Sequence, residues 1–494
     1  MKYPRRLAIA HFHLRPGGVT RVIGHALAAL SKSGARVAVL AGPSEHRDVP
    51  EGSCVREVDG LGYAEDLAGS ASAAEGLAGR LKEAAREALG GPPDLWHFHN
   101  HSLGKSAAVP LAIERLAAEG QRLLLQIHDF PEDGRPANYR SLLEHVGQKR
   151  AALLGRRLYP QALHIHYATL NTRDLAFLRA AGVALERLHF LPNPVDLRDG
   201  GAGNVCPLAP PAKAGLFLYP TRAIRRKNIG EFLLWAAAGR KNDRFAVTLA
   251  PTSAGDRLIY DRWIAFAREL MLPMEFEVGR DGTASFPQLL ARATAVVTTS
   301  VAEGFGLAFL EPWLAGRPLL GRDLPEMTSD FKNEGLDLSS LYARLLVPLE
   351  WVDPAALRNA IEGAWPALLA AYGRSPRRGD VDKAFSAACE KDRVDFGRLD
   401  EALQEKVIRR VRTGKKSIRE LSPSLLSSGR EAASVIEKNR RLAEQLFNLD
   451  QYGQRLLEIY SHILESEPGP ADPMNPDKLL DMFLAPDRFY LLRT

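Results

Sequence analysis

Apolar positions in this 494-residue chain fall into two successive series of short strand-like runs alternating with amphipathic segments. In the first series, residues 7–11, 36–40, 95–99, 123–128, 163–168 and 189–191 are brief, largely apolar runs, the pattern of strands buried on both faces of a parallel sheet. Between them, residues 20–33, the alanine-rich 63–89, 107–119 and 172–181 place apolar residues at helical spacing. Strands alternating with helices predict a doubly wound α/β domain.

The run from Pro192-Asn193-Pro194-Val195-Asp196 to Pro210-Pro211 is rich in proline and glycine and reads as a linker. A second alternating series follows, with strands predicted at 216–219, 245–250, 274–278, 295–300, 317–320 and 345–348. The expected organisation is an N-terminal Rossmann-like domain over 1–195, a linker over 196–212 and a C-terminal Rossmann-like domain over 213–450. The second domain carries a charged helical insertion at about 374–440. A closing helix and tail over 451–494 pack back towards the first domain, with the proline-rich stretch after Pro468 lying over the surface. Two such domains would leave a cleft, with ligands at the carboxyl ends of the strands that face it.

Composition narrows the class. Apolar content of 46% and charged content of 25% are ordinary for a globular chain, and a net charge of +6 suits an anionic substrate, a membrane surface or merely solvated arginine. Cys54, Cys206 and Cys389 have no metal or redox spacing, which fits a reducing compartment. The first residues carry too short an apolar run for a signal peptide, and no stretch has the length of a membrane span. A cytoplasmic enzyme is expected, with peripheral contact at the inner face of a membrane as the variant. That variant draws on Lys149-Arg150 and Arg156-Arg157, which flank the apolar Ala151-Ala152-Leu153-Leu154.

Four places could carry chemistry. Glu303-Gly304-Phe305-Gly306-Leu307-Ala308-Phe309-Leu310-Glu311 follows the β-branched run at 295–300 and reads as a glycine turn entering a helix, with a carboxylate at each end. Free N–H groups at a helix start favour phosphate, and carboxylates accept from hydroxyls, so a phosphorylated, hydroxylated ligand such as a nucleotide sugar is indicated. Gly17-Gly18 opens the helix after the first strand, where it permits close ligand approach or is an ordinary turn. Thr221-Arg222-Ala223-Ile224-Arg225-Arg226-Lys227-Asn228 follows a strand of the second series and could neutralise a diphosphate, or be a solvated basic loop. Gln126-Ile127-His128-Asp129 ends a first-series strand, and His97-Phe98-His99-Asn100-His101 would set three histidines on one strand face. With no carboxylate or cysteine close by, a polar strand end or acceptor contact outweighs a metal site there. Asp380-Val381-Asp382 reads as surface.

Taken in order, Gly17-Gly18, His128-Asp129, Pro192 to Asp196, Arg222 with Lys227, and Glu303 with Glu311 resemble the retaining glycosyltransferases of the GT-B fold, family 4. The resemblance spans roughly residues 5 to 350 plus the helix near 452–465. It implies two Rossmann-like domains facing a cleft and a metal-independent hexosyltransferase that moves sugar from a UDP-, GDP- or ADP-linked donor to a sugar, glycoside or lipid hydroxyl. No other cofactor and no nucleic-acid partner are implied. It further implies that His128, Arg222, Lys227 and Glu303 act in catalysis. Gly17, Gly18, Arg222, Lys227, Glu303, Gly304, Phe305, Gly306, Leu307 and Glu311 would hold the donor, with Glu311 on the ribose. His99, His101 and Asp129 would lie on the acceptor side. A nucleotide-sugar epimerase, a phosphorylase and a membrane-surface binding protein remain as alternatives.

Overall fold

The computed structural model describes residues 3–44, 48–64, 74–195, 215–280, 285–414, 417–422 and 433–494. The expected linker and the Cys206 thiol lie almost wholly outside these residues. The chain divides into two compact units. Unit 1 comprises Met1–Pro194, Ala370–Arg374 and Phe447–Leu484; unit 2 comprises Val195–Leu369, Ser375–Leu446 and Ala485–Thr494.

Unit 1 is built on a parallel sheet of β1 (Arg6–His11), β2 (Arg36–Ala41), β3 (Val55–Glu57), β4 (Leu95–His99), β5 (Leu123–Ile127), β6 (Ile165–Thr169) and β7 (Leu188–Phe190), in the order β3-β2-β1-β4-β5-β6-β7. Strand β3 is absent from the sequence reading because Arg56 and Glu57 are exposed on an edge and leave no apolar run. The helix Leu449–Glu465 buries Tyr452, Leu456, Ile459, Tyr460 and Ile463 against Leu7, Ile9, Leu95 and Leu124 of the sheet. Each such side chain contributes on the order of 2 kcal/mol by leaving water. At Gly453 an added Cβ would sit 2.9 Å from the Ala29 Cβ, so glycine sets how closely this helix approaches helix Gly18–Leu30.

The tail lies over the surface only in part: residues 467–473 are exposed or half-buried, as expected, but a buried helix follows. Pro476 starts a helix, Pro476–Phe483, whose Leu479, Leu480 and Phe483 are buried, Phe483 meeting Phe130 and Phe177 at ring distances of 5.1 and 5.0 Å. Its apolar stripe is two turns long and is masked in sequence by the prolines around it. The supposed lipid-facing run meets a similar fate: helix Ala151–Leu158 buries Leu153, Leu154 and Leu158, and Pro476 packs where a Cβ on Gly155 would stand. Among the described residues no helix is long and apolar enough to cross a membrane.

Unit 2 holds β8 (Leu216–Arg222), β9 (Arg244–Leu249), β10 (Met274–Glu275), β11 (Ala295–Thr298), β12 (Leu319–Arg322) and β13 (Leu341–Tyr342), parallel, in the order β10-β9-β8-β11-β12-β13. The segment expected at 345–348 is not the sixth strand. It becomes β14 (Leu346–Pro348) of a separate antiparallel sheet with β15 (Cys389–Glu390) and β16 (Arg393–Asp395), ordered β14-β16-β15. The charged insertion is therefore helical only in part: a hairpin stands between helices Asp380–Ala388 and Glu401–Thr413, too short and too charged to show alternation. Asp380 is not on the surface either. Its carboxylate is buried and accepts from Arg377 N at 2.8 Å and Trp365 Nε1 at 3.3 Å, whereas Asp382 is exposed and pairs with Arg358.

A buried ion cluster ties this insertion to the sheet. Arg322 reaches Glu231 at 2.6 Å and Asp395 at 2.8 Å, and Tyr342 donates to Glu231 at 2.9 Å. Removing one partner of such a cluster is costly because the remaining charge stays buried. In both units the strand order reverses beside the first strand, between β1 and β4 in unit 1 and between β8 and β11 in unit 2. Open parallel sheets bind ligands outside the carboxyl ends at such a switch point.

Candidate functional site

At the unit 2 switch point, β8 ends in Arg222 and the chain makes a 3-10 turn, Arg225–Lys227. Asn228 then takes a left-handed conformation (φ 52°) before helix Ile229–Ala238. The turn is stitched to the end of β11. Thr299 Oγ1 donates to the carbonyls of Lys227 (3.1 Å) and Asn228 (3.0 Å), and Val301 N donates to that of Arg226 (3.0 Å). Tyr219 OH donates to the Lys227 carbonyl at 3.0 Å and lies 2.8 Å from Ser300 Oγ. Within this frame Lys227 Nζ and Ser300 Oγ donate to Glu303 Oε1 at 2.5 and 2.6 Å. Burial alone would push the Glu303 carboxyl up. Attraction to Lys227 and Arg226, with the two hydrogen bonds, outweighs it and holds the group below the usual carboxylate range.

The basic residues of this loop divide into two kinds. Arg225 is committed to structure, reaching Glu401 through Nε (2.6 Å) and Nη2 (2.9 Å). Arg226 acts electrostatically on Glu303, and its Nε is buried with no hydrogen-bond partner among the described residues. Arg222 is exposed and donates to the Ala250 carbonyl at 3.1 Å. The insertion braces the loop from behind: Gln404 Nε2 donates to Asn228 Oδ1 at 2.9 Å, and Asn228 Nδ2 donates to Glu231 Oε2 at 2.9 Å.

The segment Glu303 to Glu311 departs from expectation. In place of a helix there is one 3-10 turn, Leu307–Phe309, and a four-residue helix, Glu311–Leu314, with Pro312 in its first turn. Gly316 at φ 66° and Pro318 stop any extension. A helix dipole this short adds little to any anion placed beside it. Gly306 has φ 91°, and a Cβ there would meet Phe309 at 2.8 Å, which accounts for glycine at that position. Phe305 is turned into the core against Phe331 (ring distance 5.6 Å), not outward to a ligand. Glu311 is buried as the first residue of its short helix.

At the unit 1 switch point the strand ends carry imidazoles. His11 closes β1, His99 closes β4 and His128 follows β5. His99 Nδ1 lies 3.0 Å from His128 Nε2, and His11 Nδ1 lies 3.1 Å from the His99 carbonyl. Behind them His97 is held between Tyr460 OH (2.9 Å) and Gln126 Oε1 (3.0 Å). Burial pushes His11 and His97 down to about 3 and His128 to about 4, and holds His99 well below its ordinary value. The rings are neutral at pH 7. His99 and His128 therefore share a single N–H between them, and His99 Nε2 is buried with no partner among the described residues.

Asn100, left-handed at φ 58°, ends the alternation after β4. Its Oδ1 accepts from the backbone N–H groups of His128 (3.2 Å) and Asp129 (2.9 Å), while Asp129 pairs with Arg135. The turn at Asn100 corrects the expectation for His101, which leaves the face shared by His97 and His99. It lies 2.7 Å, through Nε2, from the Leu158 carbonyl, away from the array. Gly17 is extended and begins helix Gly18–Leu30; a Cβ on Gly18 would meet nothing within 4 Å, leaving open space beside the backbone. Among the described residues no group of three His, Cys, Asp or Glu side chains is arranged to hold a metal ion. A cavity of about 870 Å³ in unit 1 is lined by Arg5, Asp94 and Arg122, which precede β1, β4 and β5. It is therefore at the amino ends of the strands, the wrong end of the sheet for a switch-point ligand.

Sequence reasoning did not single out Ser300, Tyr219, Asn228, His11 or Asn100. Ser300 and His11 had a usable signal, a polar residue immediately at a strand's carboxyl end. The two asparagines mark left-handed positions that a run of polar residues conceals.

Residues 17–194 match the family described as Glycosyl transferase 4-like domain. The mannosylglucosyl-3-phosphoglycerate synthase of Petrotoga mobilis is 26% identical over 443 residues, covering 83% of this chain and 84% of that protein. Sucrose-phosphate synthase from Thermosynechococcus elongatus shares the fold with a TM-score of 0.54 at 15% identity, over 92% of this chain and 98% of its own. HepE of Anabaena, solved in complex with UDP and glucose, does so with 0.53 at 12%, over 92% and 99%. With the two parallel sheets described above, these likenesses make the fold GT-B, two Rossmann-like domains.

Proposed function

We propose that this chain, a hexosyltransferase of the family 4 type, moves a sugar from a nucleotide-sugar donor to an acceptor hydroxyl, with retention of configuration and no obligatory metal ion. The observation that carries the reading is the Lys227–Glu303–Ser300 group at the switch point of unit 2. Lys227, Arg226 and Arg222 would stabilise the charge that develops on the leaving diphosphate, a task given to fixed cations in a preorganised site. Glu303, ionised and oriented by Lys227 and Ser300, would accept from hydroxyls of the transferred sugar, and Glu311 from the ribose. Backbone groups of Gly304, Gly306 and Leu307 would line the donor, and Gly17-Gly18 would admit its phosphates. His128, held neutral, would offer a hydrogen bond to the sugar without repelling or trapping charge, and His99 and Asp129 would serve the acceptor. The departing phosphate oxygen would take the acceptor's proton on the same face, so no covalent intermediate is required.

HepE's UDP and glucose make UDP-glucose the first donor to try, and the Petrotoga relative's product name makes a glycosylated phosphoglycerate the first acceptor. A cytoplasmic location is part of the proposal. The test is a panel of UDP-, GDP- and ADP-sugars, screened by thermal shift and then by product NMR. A donor that binds the folded state raises the melting point. Transfer to a second sugar with the donor's anomeric configuration kept is the expected result. Product from nucleotide sugar alone would mean an epimerase, cleavage of a glycoside by inorganic phosphate a phosphorylase. A panel without any response would remove the enzymatic reading.

A further inference from the structure

We propose that unit 1 carries a subsite for an anionic group, a phosphate or carboxylate on the acceptor, formed by Lys105 over the ring of Tyr63 with Arg15 nearby. The inference rests on the transferase reading and extends it to the acceptor's chemical class.

Tyr63 is 46% exposed although its ring is hemmed on one side. The Phe12 ring lies 5.3 Å away and the His13 ring meets it edge-on at 4.8 Å. The Lys105 ammonium stands 5.8 Å from the ring centre, and Ala64 N donates to the Lys105 carbonyl at 2.8 Å, which ties the two stretches of backbone together. The Tyr63 phenol feels the Asp129–Arg135 pair first and then Arg15, which also acts on His13. An exposed aromatic face beside cations suits a sugar ring carrying an anion: the ring's C–H face packs on the phenol, and the charge meets the ammonium and guanidinium.

These cations differ from those nearby. Arg135 pairs with Asp129 and Arg173 with Asp174, so their charge is balanced within the protein. Neither Lys105 nor Arg15 has a carboxylate partner among the described residues. The patch also continues into the strand-end array, since His13 packs against His11 at 5.4 Å and His11 against His99 at 6.5 Å. Along that path two buried nitrogens, His13 Nδ1 and His99 Nε2, have no hydrogen-bond partner among the described residues. Neutral imidazoles with open positions serve hydroxyls, and the rim serves charge. A glycoside with hydroxyls at one end and an anion at the other uses both.

The full-length chain can be tested with 3-phosphoglycerate and methyl glucoside as probes, using calorimetric binding with UDP-glucose titrated in parallel. The wild type should bind 3-phosphoglycerate, more weakly as salt rises. Lys105→Ala should lose roughly 10-fold in affinity for it, the usual effect of removing one charge-assisted contact, and Arg15→Ala a similar amount. Lys32→Ala, an exposed lysine of the same unit, should bind as the wild type does. Failure of the wild type to bind 3-phosphoglycerate, or equal binding by Lys105→Ala, overturns the subsite. So does a loss of UDP-glucose affinity in place of the anion's, which would assign these cations to the donor. If no nucleotide sugar binds but the anion does, the transferase reading falls while the subsite stands.

Discussion

The two switch points stand at equivalent places in sheets that share the order 3-2-1-4-5-6, the first sheet adding a seventh strand, yet they are built from opposite electrostatic materials. In unit 2 the strand ends hold an ammonium, a guanidinium and a carboxylate, and the carboxylate stays ionised because its partners outweigh its burial. In unit 1 the strand ends hold imidazoles that burial keeps neutral, and the available charge lies outward, beyond Tyr63. Topology fixes where a ligand binds, and side-chain chemistry fixes what kind. A floor of fixed charge suits a leaving group that gains negative charge during reaction. A floor of neutral hydrogen-bonding rings suits hydroxyls that must be oriented with their protons available.

The sharpest way to break this contrast is Lys227→Ala. It leaves Glu303 without its ammonium and, on the proposed reading, removes a cation from the leaving diphosphate, so turnover at saturating donor should fall by roughly 100-fold or more. Steady-state kinetics with turnover kept would show that charge at unit 2 is structural. Glu231→Ala comes next and reads mainly as stability, since Arg322 would keep only Asp395. A loss on the order of 3–5 kcal/mol is expected in urea unfolding. Gln404→Leu should act more gently, by freeing Asn228 and the turn before it. Turnover should drop by roughly 10-fold with a smaller change in acceptor KM, whereas an unaltered kcat would mean the insertion does not position the loop. Arg225→Ala should change turnover by no more than about three-fold while lowering the melting point, because its partner is Glu401 and not a ligand.

The neutral array of unit 1 makes a prediction about pH. Its imidazoles titrate near 6.5 when unfolded and at about 3 to 4 when folded, so the unfolded chain binds protons first as pH falls. Their contribution is complete above about pH 6.5 and is lost progressively between there and about pH 3. Glu132, which burial raises to about 7, has the reverse sign: the folded state keeps its proton while the unfolded state releases it, so this group favours folding at lower pH. Several histidines outweigh one carboxyl, and calorimetry should find the melting point several degrees lower at pH 5 than at pH 7.5. His97→Gln should flatten that slope; an unchanged slope would locate the sensitivity elsewhere.

The two sheets were legible because strands buried on both faces leave uninterrupted apolar runs that stop at a polar residue. Lys227 and Glu303 were legible for the same reason, each following such a stop. What was hidden depends on geometry that no local pattern encodes. Asn100 and Asn228 each hold a left-handed turn, after β4 and after β8, and each braces the adjoining loop through its side chain. The split of Arg225 from Arg226 is set by Glu401, which lies 176 residues from Arg225 in sequence. The helix expected after Gly306 fails because Pro312 and Gly316 limit it to one turn, a stop that sequence displayed and the apolar spacing obscured.

The helix Leu449–Glu465 has a practical consequence for dissecting the molecule. Unit 1 is threaded from three separate stretches of chain, and its sheet is covered on one face by residues that follow unit 2 in sequence. A recombinant fragment cut at residue 195 would bare the apolar surface that Tyr452, Leu456 and Ile463 shield, and would be prone to aggregate on expression. A circular permutant that joins 447–484 directly to the first 194 residues keeps that shield. Isolated binding measurements on unit 1 are best attempted in that format.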